Sequence, residues 1–331
     1  MSVADGMRQR LVNSHNLNYK IHIMTENTAP TLDFRAARRA NLAALRDAGI
    51  DPFAPNSYDV TAKAAKLQET YKDLPDGEKT ESTVRVAGRV VSYRNSGMFI
   101  DLLDDSGKIQ IFSHKDSVAP EILSQLAVLD LGDWIGVEGI VRRTPRGELT
   151  INLQKLTVLG KAMSPPPEKF HGLQDVDTRY RHREYDLVSN EESRTALRRR
   201  FEIMRELRNF MDNRGFIEVE TPMLHVIPGG ANAKPFITHH NTLDMQLYMR
   251  IAPELHLKRL IIGGLADRVY EINRCFRNEG ISTRHNPEFT TLESYEAFTD
   301  YHGTMKLAEE AIEAVALSVF GKTEFEFRGH T

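Results

Sequence analysis

The 331-residue sequence contains one cysteine, Cys275, and one tryptophan. A lone thiol excludes an internal disulfide framework and any all-cysteine metal site, and it fits a reducing compartment. Long apolar runs are missing too. The most apolar stretch, around Leu260 to Ala266, falls far short of the roughly 18 residues that a membrane-spanning helix needs. Charge of one sign is not in excess, since 43 Lys and Arg face 46 Asp and Glu for a formal charge of −3. A polycation or a disordered acidic chain is therefore excluded, although a near-neutral chain can still carry local basic faces that bind nucleic acid. No internal repeat is visible. Residues 1–31 are polar and lack the apolar stretch of a secretory leader, so they read as a disordered extension, with Met24 as an alternative start.

What is present divides the chain at about residue 165. The segment FRAARRANLAALRDA (34–48) has helical spacing, with Leu42 and Leu45 on one face and Arg35, Arg38 and Arg39 assigned to the other. Gly49 ends it. Five β-rich runs follow between Val84 and Leu159, separated by turns such as Asp104-Asp105-Ser106-Gly107. They predict a small closed barrel, with an OB-fold the leading candidate. Residues 32–163 are thus a first domain, and the stiff run Ser164-Pro165-Pro166-Pro167 opens a linker over 164–188. Beyond it, Ser189 and Glu192 have capping-box spacing, and Leu197, Phe201, Met204 and Met211 give a helical stripe. FIEVETP reads as a strand stopped by Pro222. DRVYEINRCF and EFTTLESYEAF read as antiparallel strands, and Met305 to Phe320 as a helix. The fold class is therefore α+β, with a mixed second domain over 189–331.

The chemistry concentrates around Phe276-Arg277-Asn278-Glu279-Gly280. On the strand that follows, Phe289, Thr291, Glu293 and Tyr295 share one face because side chains alternate. An aromatic ring, a carboxylate and a phenol then point the same way, beside a guanidinium fork at Arg277 suited to a phosphate or carboxylate. The grouping suits a nucleotide together with a cationic small molecule.

At this point the chain resembles the class II aminoacyl-tRNA synthetases, and among them the lysyl-tRNA synthetases. FRNEGISTRHNPEFTTLESY looks like the family's second motif, and the Ser189 to Pro222 region like its first. VIPGGANAKPFITHHN and RIAPELHLKRL look like the lysine group's intervening segments. The resemblance implies an OB-fold anticodon-binding domain joined to part of an antiparallel-sheet catalytic domain. It implies ATP contacts by Arg277, Glu279, His285 and Phe289, with Arg277 as the catalytic group. It implies L-lysine contacts by Gly230 and Glu254 at the α-amino group, Arg277 at the carboxylate, and Glu293 and Tyr295 at the ε-ammonium. Phe99, Gln110 and Glu148 would read the anticodon of tRNA(Lys), and Arg35, Arg38 and Arg39 would meet its backbone. A homodimer through the first motif, a cytoplasmic setting and no membrane association are further implications. Magnesium is expected to accompany ATP. The family's third motif and magnesium carboxylates are not found in these 331 residues, so the chain is read as a fragment whose activity alone is doubtful.

Blander readings exist for each residue taken singly. Phe289 could be core, Glu293 and the three arginines solvated, and Phe99 an inward barrel aromatic. Cys275 and the pair His239-His240 lack ligand-like spacing, so no metal site is assigned. An aspartyl or asparaginyl relative and a noncatalytic tRNA-binding protein are the competing functions. Glu293 and Pro228-Gly229-Gly230 argue against the first of these.

Overall fold

The computed structural model describes residues 33–167, 173–282, 284–326 and 329. The segment 1–31 lies outside them. The chain divides into two compact units, Met1–Lys169 and Phe170–Thr331.

The first unit is a closed barrel with strand order β1-β2-β3-β5-β4. The strands are β1 (Lys79–Arg94), β2 (Phe99–Leu103), β3 (Lys108–Phe112), β4 (Trp134–Arg143) and β5 (Leu149–Gly160). Alternation dictates which side chains fill it. Ile100 and Leu102, Ile109 and Ile111, Val137 and Val141, and Ile151 and Leu153 are buried inside. Phe99, Gln110 and Phe112 take the intervening, half-buried positions. β3 and β5 pair in parallel to complete the closure, which is the topology expected of an OB-fold. At Gly139 an added Cβ would fall 2.0 Å from the Asn152 carbonyl oxygen, so only glycine allows β4 and β5 this close.

Three helices accompany the barrel: α1 (Phe34–Asp47), α2 (Ala64–Thr70) and α3 (Pro120–Ala127). Asp33 caps α1 by accepting from the Arg35 and Ala36 amides at 3.1 Å. Leu45 enters the barrel core. Arg38 does not face solvent as the sequence reading had it. It is only 6% exposed, and its guanidinium donates to the carbonyls of Ala162 at 2.6 Å and Leu131 at 3.0 Å. The reason is helical spacing: 38, 42 and 45 lie at i, i+4 and i+7, so Arg38 belongs to the leucine stripe. Arg35 and Arg39 are exposed. A buried ammonium, Lys161, completes the polar knot beside α1. It meets Asp133 at 2.5 Å and Asp130 at 2.6 Å.

The second unit opens with α4 (Val176–Arg181), α5 (Arg183–Ser189) and α6 (Glu191–Asn213). Ser189 closes α5, with its hydroxyl donating to the Tyr185 carbonyl at 2.7 Å. Asn190 holds the cap position of α6 without a side-chain bond, so the capping box is not formed. Asp186, with no exposed side-chain surface, joins the three helices by accepting from Arg179, Arg183 and Asn190. Those donors hold its carboxyl well below the usual carboxylate range despite burial.

Two three-stranded sheets follow. One has order β11-β10-β6, from β6 (Ile217–Glu218), β10 (Arg268–Phe276) and β11 (Glu288–Glu296), with β10 and β11 antiparallel. The FIEVETP strand shrinks to two residues, and β6 runs parallel to β10. The other has order β7-β9-β8, from β7 (Leu224–His225), β8 (Ile237–His240) and β9 (Met245–Met249). Helix α7 (Glu254–Ile262) packs on β10 and β11. Helix α8 (Tyr301–Phe320) begins four residues before the expected Met305, because Asp300 caps it through the Gly303 amide. Tyr270, Ile272 and Leu292 turn to one face of the first sheet and pack on Met211, Phe216, Leu207 and Leu307. The opposite face carries Glu271, Asn273, Thr291, Glu293 and Tyr295 together with Val269, Cys275 and Phe289. Phe201 departs from the expected α6 stripe and is 63% exposed.

Candidate active site and nucleic-acid face

The register of β10 and β11 places Cys275, Asn273, Glu271 and Val269 opposite Phe289, Thr291, Glu293 and Tyr295. Because the opposite face is committed to the core, this one presents the four residues that the spacing selected. The Tyr295 hydroxyl donates to Glu293 Oε2 at 3.0 Å. Partial burial pushes the Glu293 carboxyl above its usual range, with Glu254 and Glu271 adding to the rise and Tyr295 and Arg250 opposing it. Burial and the neighbouring Glu293 likewise push the Tyr295 phenol up. A carboxylate held in this state rewards a cationic partner.

Glu254 arrives from the first turn of α7. Gly230 lies against it at φ +88°, and an added Cβ would meet Glu254 Cβ at 3.1 Å and Ala252 Cβ at 3.2 Å. The glycine is thus required both for its backbone and for the close approach. Lys258, one turn beyond Glu254, places its ammonium 2.5 Å from Glu254 Oε1 and 5.7 Å from the centre of the Tyr295 ring. The sequence reading did not single out Lys258, although its i,i+4 spacing from Glu254 is the available signal.

Arg277 follows β10, and its guanidinium sits 5.1 Å from the centre of the Phe289 ring. Its Nε is buried without a hydrogen-bond partner. The Glu279 carboxylate reaches the Lys234 amide at 3.4 Å, while the Asn278 amide donates to the Lys234 carbonyl at 2.8 Å. His285 Nδ1 is 2.8 Å from the Ser282 hydroxyl in the loop before β11. Two groups are therefore brought together: Gly230, Glu254, Glu293 and Tyr295 in one, Arg277 and Phe289 in the other. Glu279 and His285 are held on the adjoining loop.

In the barrel unit, Phe99 and Phe112 have ring centres 5.2 Å apart on the outward face, with Arg142 4.9 Å from the Phe112 ring. Gln110 accepts from Thr150 Oγ1 at 3.0 Å. Glu148 is exposed in the turn before β5, where its amide donates to Thr144 Oγ1. Phe112 and Arg142 went unnoticed in the sequence because an outward aromatic has the same alternation as an outward polar residue.

Comparison with known proteins agrees with both units. Residues 175–329 match the family model of class II tRNA synthetases (D, K and N), and residues 84–159 match the OB-fold nucleic acid binding domain. A lysine–tRNA ligase of Sinorhizobium medicae is 54% identical over 303 residues, covering 92% of this chain and 61% of that protein. One from Rhizobium meliloti is 56% identical over 273 residues, covering 82% of this chain and 55% of that protein. One from Syntrophomonas wolfei is 48% identical over 308 residues, covering 92% and 61%. The chain spans about 60% of the length of the curated relatives it matches. The chain thus carries an OB-fold nucleic acid binding domain followed by a class II tRNA synthetase domain of the D, K and N group.

Proposed function

We propose that the protein is a lysine–tRNA ligase, in which the sheet unit activates L-lysine with ATP and the barrel binds tRNA(Lys). The observation that carries the reading is the half-buried Glu293 carboxylate, which accepts from the Tyr295 hydroxyl at 3.0 Å and has Glu254 and Glu271 as neighbours, a negatively charged setting that suits a ligand ammonium. In this reaction the lysine carboxylate attacks the α-phosphorus of ATP. Pyrophosphate leaves, and a 3′-terminal ribose hydroxyl of tRNA then takes the lysyl group with release of AMP. No side chain need form a covalent bond, so the protein contributes positioning and charge. Arg277 would hold the reacting phosphate and carboxylate, while Phe289 and Glu279 would take the adenine ring and its amino group. His285 would lie near the outer phosphates. Gly230 and Glu254 would receive the α-amino group, and Glu293 with Tyr295 the ε-ammonium.

Magnesium would accompany ATP by the nature of the reaction. Among the described residues no group of three His, Cys, Asp or Glu side chains could hold a metal, and no step is assigned to one. The test is binding of two stable adenylate mimics, lysyl- and norleucyl-sulfamoyl adenosine, which differ only in the terminal ammonium. Strong preference for the lysyl compound is expected. Equal binding would remove the lysine assignment.

The barrel would stack an anticodon base on Phe99, with Gln110 and Glu148 at its hydrogen-bonding edge. Arg35 and Arg39 would meet phosphates, whereas Arg38 is committed to backbone carbonyls. Phe99→Ala should weaken tRNA(Lys) binding by about 1–3 kcal/mol in a filter assay. Equal affinity of the unsubstituted chain for tRNAs with unrelated anticodons would refute the specificity.

We further assign a homodimer to the region from Ser189 to Pro222, where exposed Phe201 offers an apolar anchor. Light scattering should give twice the chain mass, falling to one on Phe201→Glu. A monomer before substitution would rule this out. No helix among the described residues is long and apolar enough to cross a membrane. As a lysine–tRNA ligase the protein would work in the cytoplasm, where its tRNA partner is used.

A further inference from the structure

Glu271 and Glu293 stand directly opposite each other on β10 and β11. Opposed residues of an antiparallel pair share a face with Cβ atoms about 5 Å apart, and like charges there repel. The sheet keeps both carboxylates by means of Arg250, whose side chain is fully buried. Its Nη1 donates to Glu271 Oε1 at 2.7 Å and to Thr221 Oγ1 at 3.1 Å, and its Nε to the Arg274 carbonyl at 2.8 Å. Thr221 Oγ1 donates in turn to Glu271 Oε2 at 2.7 Å, and Asn273 Nδ2 to Oε1 at 3.3 Å. Glu271 is therefore saturated. The remaining arm of Arg250, Nη2, is buried and has no hydrogen-bond partner.

A charge inventory of the pocket follows. Glu254 is paired with Lys258 at 2.5 Å and Glu271 with Arg250 at 2.7 Å. Among the described residues Glu293 has only the Tyr295 hydroxyl, at 3.0 Å, and no cation at ion-pair distance. Of three neighbouring carboxylates, one is left for a ligand. We propose that Arg250 is a positioning residue for lysine recognition: by sequestering Glu271 it separates the roles of two opposed carboxylates and leaves Glu293 to meet the ligand's ammonium. The inference rests on the lysine pocket proposed above.

The groups that bear on Glu293 are Tyr295 on its own strand, Glu271 and Cys275 on β10, Glu254 on α7 and Arg250 before α7. Among these groups Arg250 is the cation, and it lowers the Glu293 pKa while Glu271 raises it. Removing Arg250 takes away an attraction and exposes the repulsion of Glu271. Glu293 then holds its proton to higher pH. Removing the Glu271 charge does the opposite.

The experiment measures the lysyl-over-norleucyl preference for the two sulfamoyl adenosines by calorimetry between pH 5 and pH 8. Arg250→Gln should move the pH of half-loss up by about one unit, so that the preference falls by up to about tenfold below the original midpoint and by less above it. Arg250→Lys should return that midpoint toward its original position, and Glu271→Gln should move it down. A protein that only loses packing would weaken both ligands alike and keep its midpoint. If Arg250→Gln fails to fold by circular dichroism, the Arg250→Lys and Glu271→Gln arms decide. Unshifted midpoints in a protein that does prefer the lysyl compound overturn the role of Arg250. Absence of any preference before substitution overturns the lysine pocket itself, and with it this proposal.

Discussion

Glu293→Gln is expected to abolish discrimination between lysyl- and norleucyl-sulfamoyl adenosine while leaving the chain folded and slightly more heat-stable at neutral pH. The substitution keeps shape and one acceptor oxygen, so it removes charge and little else. An ammonium that enters a partly desolvated pocket without its carboxylate loses about 3 kcal/mol, or about a hundredfold in binding of the lysyl compound. Norleucyl binding should be unchanged, because it never had that partner. The stability change has the opposite sign for a reason rooted in proton linkage. Burial raises the Glu293 pKa in the folded chain, so the folded state binds the proton more tightly than the unfolded state. Ionising Glu293 therefore costs stability as pH rises through its folded pKa, and a permanently neutral residue avoids that cost. The same shift predicts that unsubstituted protein loses lysyl preference as pH falls, a limb that disappears in the variant. Intact lysyl preference in Glu293→Gln would remove Glu293 from the pocket. Lowered melting temperature with equal losses for both compounds would assign it a structural role instead.

The β10–β11 pair was legible because a period of two is strict. Once EFTTLESYEAF is a strand, Phe289, Glu293 and Tyr295 must share a face, and the structure shows Tyr295 bonded to Glu293 across that spacing. The barrel was legible for the same reason, its buried Ile100, Leu102, Ile109 and Ile111 falling at alternate positions. What the pattern could not supply was the inward polar group. Arg38 lies on the leucine stripe of α1, but a charged residue is scored as outward by any hydrophobic periodicity, so its burial against two carbonyls went unseen. Arg250, Glu271 and Thr221 are hidden for that reason and one more: they come together from positions up to 50 residues apart. Short strands such as β7, with two residues, have no period to detect. Although its spacing from Glu192 predicts a cap for α6, Ser189 does not supply one, because its hydroxyl donates to the Tyr185 carbonyl within its own helix, a competition that local sequence does not settle.

The largest expected effect on stability comes from the other buried cation. Lys161 and Asp133 each have no exposed side-chain surface, and the ammonium also meets Asp130 at 2.6 Å and the Val128 carbonyl at 2.8 Å. Lys161→Met preserves most of the volume and deletes the charge. Asp133 keeps the backbone amides of Asp130 and Ala162 at 2.7 and 2.8 Å, but its charge is left without a counter-ion. Breaking a buried pair in this way costs about 3–5 kcal/mol. The barrel supplies its own reporter, because the single tryptophan, Trp134, pairs with Gly160, the residue before Lys161. Urea unfolding followed by its fluorescence therefore reads this unit. The deficit should depend on pH in a defined direction. Burial already pushes the Asp133 carboxyl up, with the Lys161 hydrogen bond opposing it. Without Lys161 the carboxyl titrates at still higher pH, and protonation relieves the uncompensated charge. The variant should thus be least destabilised in mild acid and most destabilised above neutrality. A loss smaller than about 1 kcal/mol at pH 8 would place it within the range of exposed pairs, and would mean that the knot beside α1 is held by the Arg38 and Asp133 backbone contacts rather than by the ammonium.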